Sequence, residues 1–266
     1  MRGTRGFGVA GAIDPTLLKQ LAPRVQELGY AALWVNDTPS GDGLDALASV
    51  ADLAPDVRLA VGVIALDRRP PREIAERVLE LGLPAERLTI GVGAGSAALG
   101  VATVREGVAE LRTLLDPEIA IVVGALGPRM GELSGQVADG VLLNWLTPAW
   151  ARQSCAAVLA SARAVSRNQP SIIAYVRAAL GDAANERLRE EAAKYQDFPA
   201  YARHFKRMGA TAYDTAVHAS DAAGLQEQLI PFNPLVDETV VRAIAAAEDF
   251  DSYLALAEAC SPGVKS

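Results

Sequence analysis

One stretch, Ile119 to Leu146, limits the architectures open to this chain more than any other. It runs as an apolar, β-branched strand, a tight glycine turn, a helix and a second apolar strand. Val122 and Val123 belong to a run of the kind buried on both faces of a parallel sheet. Gly124 and Gly127 let the backbone turn closely, and Pro128 suits the first helical position, where its missing N–H costs nothing. The free amides of that helix start, with Arg129 beside them, make a seat for an anion. Asp139-Gly140 then turns the chain into the next strand, whose last polar residue is Asn144. This is a βαβ unit with its anion seat at the carboxyl ends of the strands.

The same unit recurs along the chain. Leu28-Gly29-Tyr30-Ala31-Ala32-Leu33-Trp34-Val35 and Val137-Ala138-Asp139-Gly140-Val141-Leu142-Leu143-Asn144 both pass from a helix end through glycine into a buried strand. Strands are predicted at 7–9, 31–35, 57–66, 87–92, in the two arms of the opening unit, and at 171–180. Helices are predicted at 16–28, 43–53, 73–81, 103–115, 148–165, 186–195, 201–208 and 252–259. Residues 239–245 are the eighth strand candidate, although 209–228 can also pair. A repeat of about 30 residues over this length implies a (β/α)8 TIM barrel occupying residues 1–266 as a single domain. A doubly wound open sheet is the rival, weakened by the regular alternation of about eight strand candidates with helices.

Composition narrows the function classes. The net charge of −7 and the lack of a basic stripe argue against nucleic acid or a membrane surface as partner. Cys155 and Cys260 lie far apart, too few for a disulfide framework or a zinc site. The apolar run within Met1 to Ile13 is broken by glycine and ends at Asp14-Pro15, unlike a signal peptide. A cytoplasmic protein acting on a small molecule is expected. Alanine-rich segments such as Ala243 to Ala247 point to a homodimer.

In such a barrel the chemistry sits at the carboxyl ends of the strands. Those ends offer Asn36, Asp37 and Thr38 after the second strand, and Arg68, Arg69 and Arg72 after the third. Gly93, Gly95 and Ser96 follow the fourth. The fifth leads to Ala125, Leu126, Gly127 and Arg129, the sixth ends in Asn144 and Trp145, and the seventh carries Tyr175 and Arg177. Gly93-Ala94-Gly95-Ser96-Ala97-Ala98 fits a dinucleotide fingerprint on paper, but the helical pattern opens only near Thr103, too late for one. Asp37 reads equally as a turn residue or as a pocket group. Arg129 can equally pair with Glu132 on its own helix. His204 lies in a helical stretch remote from strand ends, which gives it a structural or surface role, and His218 sits in a polar loop. There is no HxH or HxxE spacing, no nucleophile elbow and no lysine at a strand end. A chain without an acid/base team of its own points to a cofactor that carries the reaction.

Residues 28–37, 87–95, 125–130 and 137–145, in this order, resemble the luciferase-like monooxygenase superfamily, and within it the oxidoreductases that use the deazaflavin coenzyme F420. The likeness runs from about Phe7 to Met208. It implies a barrel with the cofactor ring across the carboxyl ends of the strands, and a hydride exchanged between F420 and a small organic substrate. Asn36 and Asp37 would approach the ring or its side chain, with Asp37 as a ring-facing polar group or proton relay. Ala65, Leu66 and Asp67 would carry the bulge, often a non-proline cis peptide, that the family sets behind the ring. Gly93, Ala94, Gly95 and Ala125, Leu126, Gly127, Pro128, Arg129 would hold the ribityl-phosphate end, with Asn144 close by, and Arg68, Arg69 or Arg72 would meet the anionic tail. The alternatives within the family are an FMN-dependent monooxygenase and a non-catalytic flavin-binding relative; outside it stands a phosphate-binding barrel isomerase. Two departures stand out: Thr38 occupies a place where relatives commonly have histidine, and the loops after strands three, four and seven are shortened.

Overall fold

A computed structural model describes residues 3–263. Eight parallel strands close into a barrel: β1 (Thr4–Val9), β2 (Ala32–Val35), β3 (Arg58–Ala65), β4 (Leu88–Gly93), β5 (Ala120–Ala125), β6 (Gly140–Asn144), β7 (Ser171–Leu180) and β9 (Glu238–Ile244). β9 closes the ring between β7 and β1, so the eighth strand expected at 239–245 is the closing strand. The other pairing segment, within 209–228, is realised as β8 (Val217–Ala219), which pairs only with the outer end of β7, beyond the reach of β6. Both sequence options are therefore used, because β7 is ten residues long and overshoots the barrel rim.

Helices α1 (Pro15–Glu27), α2 (Gly43–Ala48), α3 (Pro71–Glu80), α4 (Gly100–Leu114), α5 (Pro128–Val137) and α6 (Pro148–Ala164) follow the first six strands. α7 (Gly181–Asp197) and α8 (Pro199–Met208) follow β7, α9 (Ala222–Leu229) follows β8, and α10 (Phe250–Ala259) ends the described chain. Local chemistry sets these bounds. At α1, Asp14 accepts from the amides of Thr16 at 2.8 Å and Leu17 at 3.0 Å, while Pro15 opens the helix; such a cap stabilises a helix by about 1 kcal/mol. α2 is shorter than the 43–53 expected, since the chain goes on in turns after Ala48. α7 is longer than the 186–195 expected and starts directly at the end of β7.

Two separate cores follow from strand alternation. Side chains such as Val9, Leu33, Val123, Val141 and Val241 point outward and pack under the helices. Trp34, Ala60, Val122, Leu142, Ile173, Tyr175 and Val240 point inward and fill the barrel. Near its amino-terminal floor, Glu238 accepts from Trp34 Nε1 at 2.8 Å and pairs with Arg58 at 2.5 Å. Toward the other end the packing changes. The register of β3 against β4 shifts between Val61 and Ile64, around a cis peptide at Gly62–Val63. This corrects the bulge expected at Ala65–Asp67: it lies inside the strand, and Ala65 and Leu66 instead continue the pairing with Gly93. The shift aims Val63 into the barrel, and Gly93 and Gly124 make room, since a Cβ on either would come within 3.0 Å of the valine methyls.

Candidate functional site

Above Val63 the barrel opens into an axial cavity of about 730 Å³ at the carboxyl ends of the strands. Its lining draws on the loop after β2, on β3, β6, β7 and β9 and on α7 and α8. Asn36 is its best-fixed polar group. The carboxamide oxygen accepts from Tyr175 Oη at 3.2 Å and from Arg242 Nε at 3.1 Å, and the nitrogen donates to the carbonyl of Gly62. Two donors on one side and a carbonyl on the other leave the amide a single sensible orientation. Burial pushes the Tyr175 phenol up to about 12, so it stays a neutral donor.

The opposite wall is charged. Arg177 donates from Nε to Glu191 at 2.9 Å and from Nη1 to Asn144 at 2.6 Å, and its guanidinium lies 3.4 Å from the centre of the Trp145 ring. Arg242 Nη2 stands 3.6 Å from the other oxygen of Glu191. Burial alone would raise the Glu191 carboxyl, but Arg242 and then Arg177 outweigh it and hold the group below its ordinary range. Among the described residues, no cluster of three His, Cys, Asp or Glu is placed to hold a metal ion.

Asp37 lines the same cavity, but its carboxylate is occupied. It pairs with Arg68, approaches Arg69 at 3.9 Å and accepts from the Gly43 amide at 3.2 Å. This makes it a clamp between the loops after β2 and β3, in place of the proton relay the resemblance suggested. Arg69 also grips Asp42 at 2.5 Å, so Arg68 and Arg69 face the clamp, and Arg72 lies in a groove between α3 and α4. Gly95 and Ser96 are similarly tied down: Asp67 accepts from the Ser96 amide at 2.7 Å and hydroxyl at 2.6 Å, joining the loops after β3 and β4. Leu66 packs outward against α4, and neither it, Ala65, Gly93, Ala94 nor Gly95 lines the axial cavity.

The helix start at Pro128 sits in a second cavity of about 260 Å³, between α5, α6 and α8. Ala125, Leu126, Gly127 and Pro128 line it, together with His204 and Arg207 of α8. The Arg207 guanidinium lies so close over Gly127 that a Cβ there would be 2.8 Å from Nη1. Arg129 is exposed and lines neither cavity, and no hydrogen bond or ion pair, with Glu132 included, engages it among the described residues. The cation at this helix start is therefore Arg207, contrary to the expectation for Arg129. His204 has the structural role expected of it, but it is not remote from the strand ends. It is buried against the end of β6, with Nε2 2.6 Å from the Trp145 carbonyl, because α8 folds back over the rim. Burial, against the pull of that carbonyl, lowers its pKa below the ordinary value.

No family model matches the chain. Its structure nevertheless superposes, over 100% of both chains, on an F420-dependent secondary alcohol dehydrogenase solved with an F420–acetone adduct, with a TM-score of 0.82 and 15% identity. It also matches the coenzyme F420-dependent tetrahydromethanopterin reductase of Methanopyrus kandleri, with a TM-score of 0.75, 15% identity and 99% of each chain covered. A third match is the oxygenating constituent of 3,6-diketocamphane monooxygenase from Pseudomonas putida, a type II Baeyer–Villiger enzyme in complex with FMN, with a TM-score of 0.73, 12% identity, and 99% of this chain and 98% of the other covered. The fold these three enzymes share with this chain is the closed (β/α)8 barrel.

Within this barrel, Asn36, Asp37, Asn144 and Arg177 meet at one cavity, as their places at strand ends imply, and Tyr175 supports it through Asn36. Arg242, Glu191, Tyr195 and Tyr201 meet there too, and sequence reasoning passed over them. Arg242 did leave a signal: it is a charged residue in the apolar run Thr239 to Ala245, on the same strand face as Val240. Glu191, Tyr195 and Tyr201 left none, since only the return of α7 and α8 over the rim brings them to the site.

Proposed function

We propose that this chain is an oxidoreductase that holds coenzyme F420 in the axial cavity and exchanges a hydride with a small organic substrate. The observation that carries the reading is the cavity at the strand ends, floored by Val63 at the Gly62–Val63 bulge and walled by an oriented carboxamide and two arginines. Its size falls within the range of about 300–1,000 Å³ typical of small-molecule sites. The residues present suit a flat heteroaromatic ring. Val63 and Trp34 supply an apolar floor, and the second Nδ2 proton of Asn36 remains available to a ring acceptor. The second cavity, with the amides opening α5 and Arg207, suits the phosphate end.

The deazaflavin, when bound, supplies or takes up the hydride. The protein's part is orientation and field. Tyr175 and Arg242 hold Asn36 in place; the loop clamps at Asp37 and Asp67 keep the strand-two to strand-four rim together; Trp34 and Val63 exclude water from below. The positive wall of Arg177 and Arg242 favours negative charge developing beside it.

FMN suits the same cavity, as the FMN-bound neighbour of equal fold supports. Titration of the purified protein with F420 and with FMN, followed by fluorescence, separates the two. Binding of F420 with FMN ignored supports the proposal, FMN binding alone supports a flavin monooxygenase, and binding of neither removes the enzymatic reading.

A further inference from the structure

Arg177 on β7 and Arg242 on β9 are register partners on neighbouring strands. Both side chains turn inward, and both residues are at least nine-tenths buried. Like charges placed side by side in a sheet repel, and more so out of water. The carboxylate within reach of both is Glu191. Asp37, also on the cavity wall, is committed to Arg68. At the rim, Arg187 pairs with Glu248, and Glu190 and Lys194 are solvent-exposed. Tyr201 and Tyr253 on the wall, and Tyr175 behind Asn36, have their pKa raised by burial: Tyr175 and Tyr201 to about 12, and Tyr253 beyond the ordinary range. They stay neutral and compensate nothing. The inner cavity thus holds two cations against one anion, one positive charge in excess.

The hydrogen-bond inventory agrees with this charge count. Among the described residues, Arg177 Nη2 has no acceptor, and Arg242 Nη2 has only the Glu191 oxygen at 3.6 Å, too long for a hydrogen bond. Arginine forks left with free donors in a cavity match the two oxygens of a planar anion. A single surplus charge is balanced by a monoanion and overshot by a dianion. We propose that the axial site takes a substrate bearing one carboxylate, seated between the guanidinium groups of Arg177 and Arg242. The inference rests on reading this cavity as the oxidoreductase site, and it names the class of substrate for that site.

The test is calorimetric titration with matched probes: formate against formamide, hexanoate against hexanamide, benzoate against benzamide. Each is measured on the cofactor-free protein and on protein loaded with F420 or FMN. The expected result is that at least one carboxylate binds about tenfold or more tightly than its amide, the scale of one charge-assisted hydrogen bond, with cofactor bound or not. Arg242→Gln and Arg177→Gln abolish that preference, Arg242→Lys weakens it, and Arg187→Gln at the rim keeps it. Equal binding of acids and amides throughout the wild-type series, which needs no variant to fold, overturns the proposal. So does a carboxylate that the cofactor displaces, because the arginines then serve the cofactor. Carboxylate selectivity in a protein that binds neither cofactor upholds the anion seat while removing the oxidoreductase reading.

Discussion

Glu191→Gln tests the electrostatic design of the site most directly. The glutamate lies 2.9 Å from Arg177 and 3.6 Å from Arg242, with a side chain 24% exposed. At an effective dielectric of about 20, each of these attractions is worth about 5 kcal/mol before desolvation is charged against it. Removing one member of a fully buried pair costs about 3–5 kcal/mol. Partial exposure of Glu191 lowers that, and the uncovered repulsion between two register-paired arginines raises it. A loss of about 2–4 kcal/mol is therefore expected at neutral pH. The acid limb carries a second signature. Burial pushes the carboxyl up, but Arg242 and Arg177 hold it below its ordinary value of 4.5, so its contribution is complete above that pH and disappears as the pH falls below it. Urea unfolding of wild type and variant from pH 3 to 8 reads both effects, the gap between them closing as the pH falls below about 4.5. A variant within about 0.5 kcal/mol of wild type at pH 7 refutes the account, because surface substitutions alone produce changes of that size.

Other substitutions probe separate parts of the architecture. Gly95 has φ of +60°, and a Cβ there would lie 1.8 Å from Asp67 Oδ1; Gly95→Ala should cost at least about 1–2 kcal/mol from the backbone conformation alone, seen as a lowered Tm. Trp34→Phe removes the 2.8 Å donor to buried Glu238, and a loss of about 1–3 kcal/mol in chemical denaturation is expected; an unchanged midpoint would deny the floor any role in stability. Burial lowers the His204 pKa from 6.5, so its contribution is complete above that pH and declines as the pH drops below it. The His204→Asn variant should lack this segment of the stability–pH profile. Arg207→Ala should weaken cofactor binding about tenfold or more if that guanidinium meets the phosphate, whereas Arg129→Ala should leave the titration unchanged.

Periodicity and turn chemistry carried most of the fold in the linear chain. Thr16 to Leu28 announces a helix through its apolar spacing, and the glycine turns announce where strands begin, because such signals act between residues a few positions apart. The same locality made Asn36, Asn144 and Arg177 legible as strand-end groups. Contacts that join distant segments were decided only by closure of the barrel. The expectation for Arg129 failed because a helix start identifies an anion seat but not the cation that covers it; Arg207, 78 residues further along, reaches it through α8. The bulge was misplaced by three residues because its position depends on β3 pairing with β4, not on any residue in β3 alone. Arg177 and Arg242 became neighbours, and Glu191 their shared partner, only when β9 slid between β7 and β1 and α7 turned back above them. Local preferences write the list of elements; long-range registry, purchased with the entropy of closing large loops, determines which side chains face one another.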